Sequence, residues 1–112
     1  MSDTFFSMNT RPPSVPELRK RLLPFCVRRG VQRLAVFGSV ASGRAQAESD
    51  VDLLVTLRDE PPVSVPELLD MAGEAEEIIG VPVDLVLRRD LERAGSARSE
   101  DNLRSAVCIY GS

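Results

Sequence analysis

The stretch VFGSVASGRAQAESDVDLLV, residues 36–55, sets the problem. Asp50 and Asp52 stand at alternate positions where an apolar run begins, a short way after Gly38-Ser39. Burying one unpaired carboxylate costs several kcal/mol, and two close together repel. Strand side chains alternate, so positions i and i+2 share a face. The spacing therefore puts both carboxylates on one side of a strand, with Val51 and Leu53 on the other. Either something compensates the charge, or the strand end opens into a site.

The surrounding chain reads as alternating helices and strands. VQRLAVFG precedes the stretch as a buried strand, Arg33 to Phe37, with a helical piece expected around Val40 to Gly43. DVDLLVTL is a second strand and VPVDLVL a third. The motif SVPEL occurs at residues 14–18 and again at 64–68. Each copy reads as a helix start: serine N-cap, glutamate three residues on for a capping box, proline in the first turn. The first helix is expected from about Pro16 to Arg29, with Leu18, Leu22, Phe25 and Cys26 inward and Pro24 kinking or shortening it. The second should offer Leu68, Leu69, Ala72, Ala75, Ile78 and Ile79 to the core and end at Gly80. A last helix is expected from a Ser99 cap, running into the apolar segment Val107 to Tyr110. Residues 1–13 read as a loose tail and 14–112 as one domain. The expected fold class is α/β (α+β), a small mixed sheet flanked by helices.

Composition narrows the chemistry. The chain has 112 residues, 43% of them hydrophobic, and a net charge of −3. That balance argues against nonspecific nucleic-acid binding. No run is long and apolar enough to span a membrane, and the N-terminus lacks a signal-peptide pattern. Cys26 and Cys108 are in no metal-like spacing, so a reducing cytoplasm is expected. There is no histidine. Ser-His-Asp and Cys-His catalysis and histidine-ligated zinc are thereby excluded.

What remains is carboxylate, hydroxyl, arginine and backbone chemistry. Asp50 and Asp52 suit a hard divalent cation such as magnesium or manganese; the alternative is that they cap a loop or meet arginines. Gly38-Ser39 can admit a phosphate to the backbone of a short helix, or can be a structural turn. Asp84, isolated in VPVDLVL, is an edge aspartate or a third carboxylate brought beside the first two.

The combination of Gly38-Ser39, Asp50-Val51-Asp52 and Val83-Asp84-Leu85 resembles the signature of the DNA polymerase β-type nucleotidyltransferase superfamily. FGSVASG…SDVDLLV is most similar to the minimal nucleotidyltransferases, the MntA-like antitoxins encoded beside HEPN toxins, and AVCIYG resembles that family's C-terminal segment. The resemblance spans about residues 15–110. It implies that Asp50, Asp52 and Asp84 are catalytic and hold two Mg²⁺ ions. It also implies that Gly38 and Ser39 bind the phosphates of ATP. AMP would pass to a tyrosine hydroxyl of a HEPN ribonuclease toxin, since one domain has no room for an acceptor site. One departure is Ser42, where the family carries arginine; Arg44 is the neighbouring candidate for the phosphates. Two other readings remain: an antitoxin that blocks its partner by binding alone, and a transferase acting on a small molecule or an RNA end.

Overall fold

The computed structural model describes residues 13–42, 50–57 and 64–111, apart from the side chains of Ser39 and Ser42. The expected tail of residues 1–12 and Arg44 lie outside them.

Ser14 opens α1 (Val15–Arg28) with a complete capping box: its hydroxyl accepts from Glu17 N at 3.4 Å, and its own N–H donates to Glu17 Oε1 at 3.1 Å. Leu18, Leu22, Phe25 and Cys26 are fully buried, as their spacing requires. Pro24 does not shorten the helix, which continues through it to Arg28. The chain then enters β1 (Val31–Phe37), turns through the short α2 (Gly38–Ser42), and returns in β2 (Val51–Leu57). Ser64 caps α3 (Val65–Ile79), accepting from Glu67 N at 3.2 Å, and Gly80 ends it in the left-handed region at φ 81°. β3 (Val83–Leu87) follows, then α4 (Arg88–Ala94), α5 (Ala97–Ser105) and β4 (Val107–Tyr110).

The four strands form one mixed sheet in the order β3-β2-β1-β4. β1 is antiparallel to both β2 and β4, whereas β2 and β3 are parallel and joined through α3. The fold class is therefore the expected one. On one face α1 and α3 cover Leu34, Val36, Val51, Leu53 and Val55. Arg29 donates to Glu74 at 2.7 Å and to Asp70 at 2.9 Å, and Arg28 also pairs with Glu74, tying the end of α1 to α3. On the other face Ala35, Phe37 and Leu54 pack with Leu91, Leu103 and Ala106 from the α4–α5 region.

Three expectations are corrected. The last helix begins at Ala97 from a Ser96 cap, with Ser99 N donating to Ser96 Oγ at 3.1 Å, and Ser99 is buried inside it. Val107–Tyr110 is a fourth strand on β1, because that strand's free edge outweighs the weak helical pattern of four residues. On α3, Leu69 is 67% exposed while Met71 is buried, so the inward face is rotated from the expected one. No helix among the described residues is long and apolar enough to cross a membrane.

Candidate active site

Asp52 is the second residue of β2 and Asp84 the second residue of β3. The parallel register pairs them directly, Asp52 with Asp84. Register partners in adjacent strands share a face, at about 4.8 Å between strands. Asp50, two residues before Asp52, adds its carboxylate from the strand's entrance. Sheet pairing thus sets Asp84 beside Asp52, and Asp50 stands two residues before Asp52 in the chain.

The register is pinned from both sides. Val51 N donates to Pro82 O at 2.9 Å, joining the entrances of β2 and β3. Val83 N donates to Glu76 Oε2 at 3.1 Å, joining β3 to α3. A slip of one residue would send Asp84 to the opposite face.

Asp50 and Asp84 are exposed, and Asp52 is half-buried between them. Burial pushes the Asp52 carboxyl above the usual carboxylate range, and the charges of Asp84 and then Asp50 add to the shift. Among the described residues no ion pair offsets these charges.

Gly38 fits against this cluster. Phe37, the residue before it, is the β1 partner of Asp52. Gly38 has φ 75°, and a Cβ there would run into Asp52 Oδ2, with Asp52 Cγ at 3.4 Å and Cβ at 3.7 Å. The sequence marks Gly38 as a phosphate contact. That it makes room for the Asp52 carboxylate shows only in three dimensions, although a glycine directly after a buried strand is the signal. Ser39 follows in α2, at the same end of the sheet.

The donor set is all carboxylate oxygen at an open strand end, which fits a hard divalent cation. Among the described residues no three acidic or thiol side chains are already gathered in a metal-site geometry. Mutual repulsion holds uncompensated carboxylates apart, and a cation between them would reverse the sign of that interaction.

Residues 19–111 match the nucleotidyltransferase domain family. The chain belongs to that family. This nucleotidyltransferase is 35% identical over 93 residues to the protein adenylyltransferase MntA of Thermococcus cleftensis, covering 83% of this chain and 82% of that one. A solved structure described as a candidate minimal nucleotidyltransferase matches it with a TM-score of 0.63 and 34% identity, covering 85% of this chain and 95% of that one. The same fold, at 18% identity and a TM-score of 0.68, occurs in a crystal structure of a toxin–antitoxin with AMP-PNP, covering 84% of this chain and 73% of that one. It occurs again, at 16% identity and a TM-score of 0.62, in a tri-AMPylated Shewanella oneidensis HEPN toxin in complex with MNT antitoxin, covering 88% and 73%. The nucleotidyltransferase is thus an MntA-like enzyme, a minimal member of its superfamily.

Proposed function

We propose that this chain is the antitoxin of a HEPN/MNT pair, a Mg²⁺-dependent adenylyltransferase that moves AMP from ATP to a tyrosine hydroxyl of its HEPN ribonuclease partner and so inactivates it. The observation that carries the reading is the Asp52–Asp84 register pair, with Asp50 beside it and Gly38 against Asp52. Likeness to proteins named adenylyltransferases supports the choice of donor, and the fold shared with toxin–antitoxin complexes supports the choice of acceptor.

Each residue has a role in an in-line displacement. The hydroxyl oxygen attacks the α-phosphorus, the α–β phosphoanhydride bond breaks, and pyrophosphate leaves. Asp50, Asp52 and Asp84 are the residues that would hold two Mg²⁺ ions. Bound there, Mg²⁺ supplies charge neutralisation to the triphosphate and acidifies the attacking hydroxyl. Gly38 and Ser39, at the head of α2, take the β- and γ-phosphates, and Arg44 is the candidate to join them. Asp84, exposed on its strand, is the carboxylate an incoming tyrosine reaches, and it takes the proton as the oxygen attacks. The partner supplies the acceptor and the remaining wall of the site, so docking sets specificity. A reaction that consumes ATP places the pair in the cytoplasm.

The test is intact-mass spectrometry of the genetically adjacent partner, incubated with this chain and Mg²⁺, with and without ATP. One or more AMP increments on the partner, absent without ATP, support the reading. A partner silenced with no change in mass would make the chain an occluding antitoxin instead.

A further inference from the structure

Among the described residues, three buried side-chain polar atoms have no hydrogen-bond partner: Arg33 Nε, Thr56 Oγ1 and Arg88 Nε. They are not scattered. Arg33 on β1 is the register partner of Thr56 on β2. Leu87 on β3 pairs with Val55, so Arg88, the next residue, comes beside Thr56 from the other side. Arg33 and Thr56 are neighbours on adjacent strands about 4.8 Å apart, and Arg88, the first residue of α4, continues the row where β3 ends. Thr56 has the same strand parity as Asp52, four residues away. The row therefore lies on the same sheet face as the acidic cluster, about 13 Å away.

Two buried guanidinium Nε–H groups flanking a buried hydroxyl are an expensive arrangement to leave unpaired. Burial, and after it the charge of Arg33, push Arg88 below its ordinary proton affinity, while Glu92 and Cys108 act the other way. No described side chain hydrogen-bonds the three orphan atoms. Three donors converging from two strands and the start of α4 need an acceptor with oxygens in several directions. A tetrahedral phosphate offers this and a planar carboxylate does not. Its charge, about −1.5 to −2 at neutral pH for a monoester, also answers two arginines.

We infer that Arg33, Thr56 and Arg88 form a phosphate-binding site at the end of the sheet opposite the acidic cluster. The site takes either the free ion or a phosphate ester. It does not depend on the proposed transfer reaction, so a failed transfer assay leaves it standing.

The experiment is thermal unfolding of the full chain in chloride, inorganic phosphate, glycerol 3-phosphate or acetate at matched ionic strength. Phosphate is expected to raise Tm by several degrees over chloride, and acetate is not. A response to glycerol 3-phosphate identifies an open site that admits esters, and a response to inorganic phosphate alone identifies a closed one; either supports the inference. Arg88→Gln should lose most of the rise, and Thr56→Val, the milder change, a clear part of it. In chloride, Arg88→Gln should not lower Tm, because it relieves repulsion between two cations. An equal rise in both variants would place the phosphate elsewhere, at the nucleotide end of the sheet for example, and overturn the inference. So would acetate matching phosphate, or no rise in the parent chain.

Discussion

Gly38 and Asp52 are in such close contact that a methyl group on the glycine would occupy the space of Asp52 Oδ2. Gly38→Ala therefore meets two penalties: the left-handed backbone, about 1–2 kcal/mol for a residue with a Cβ, and displacement of the carboxylate. Adenylyl transfer is expected to fall at least about a hundredfold. Gly30→Ala is the control, because its φ is 68° but nothing lies within 4 Å of its Cβ position. It should show a similar loss in thermal unfolding and retain transfer. Equal activity in the two variants would refute the assigned contact.

Asp52→Asn separates stability from chemistry. The Asp52 carboxyl is held above its ordinary range, mainly by burial and then by Asp84 and Asp50. An acid whose affinity for its proton rises on folding costs stability at pH values above its titration, and regains it as pH falls through the folded value. Removing the charge should leave the metal-free Tm at neutral pH unchanged or a few degrees higher, and flatten its rise toward mildly acidic pH. Transfer should fall about a hundredfold or more. A Tm well below that of the parent would make Asp52 a structural residue.

The helix caps give a prediction independent of the site. Ser14→Ala removes the hydroxyl half of a capping box, whose other half is donated by the Ser14 backbone N–H and stays, and Ser64→Ala removes a single hydroxyl–amide bond. Each should cost about 0.5–2 kcal/mol in urea unfolding, and the two costs should be similar. Both variants should transfer AMP normally once folded. A cost for Ser14→Ala far below that for Ser64→Ala would show that the bond from the Ser14 N–H to Glu17 holds the first cap by itself.

The two cysteines should differ sharply toward an alkylating reagent. Cys26 is fully buried and its thiol is pushed up to about 12 by desolvation. Cys108 is half-buried on β4, its Sγ donating to Tyr110 O at 3.4 Å and Gly111 O at 3.3 Å. At neutral pH one alkyl group should add to Cys108 in the native protein, and the second only after denaturation. Labelling at both sites with similar rates would mean that α1 opens readily.

Local pattern made part of this structure legible in advance. The SVPEL repeats marked both helix starts because capping chemistry is local, and the alternation of Asp50 and Asp52 placed them on one face. The meeting of Asp52 with Asp84 is different: 32 residues separate them, and only the α3 crossover and the parallel register decide it. The same limit hid β4, whose four residues carry too short a pattern to tell strand from helix end until β1 offers an edge. It also hid the Arg33–Thr56–Arg88 row. Arg33 alone reads as an ordinary polar interruption in a strand, and its neighbours lie on other elements.

Asp84 lies on β3, an edge strand, which among the described residues has β2 as its only strand neighbour. Its place beside Asp52 is therefore held by a single ladder and by the seating of α3. The other two acids belong to β2 and its entrance, and β2 is paired on both sides. Fraying of β3 would carry one carboxylate away while the central strands stay folded. The competence of the site is then governed by the free energy of a local opening, which is smaller than that of global unfolding. Amide exchange along Val83–Leu87 is the measurement that reports it. Two chains with the same melting temperature could differ in activity for this reason alone.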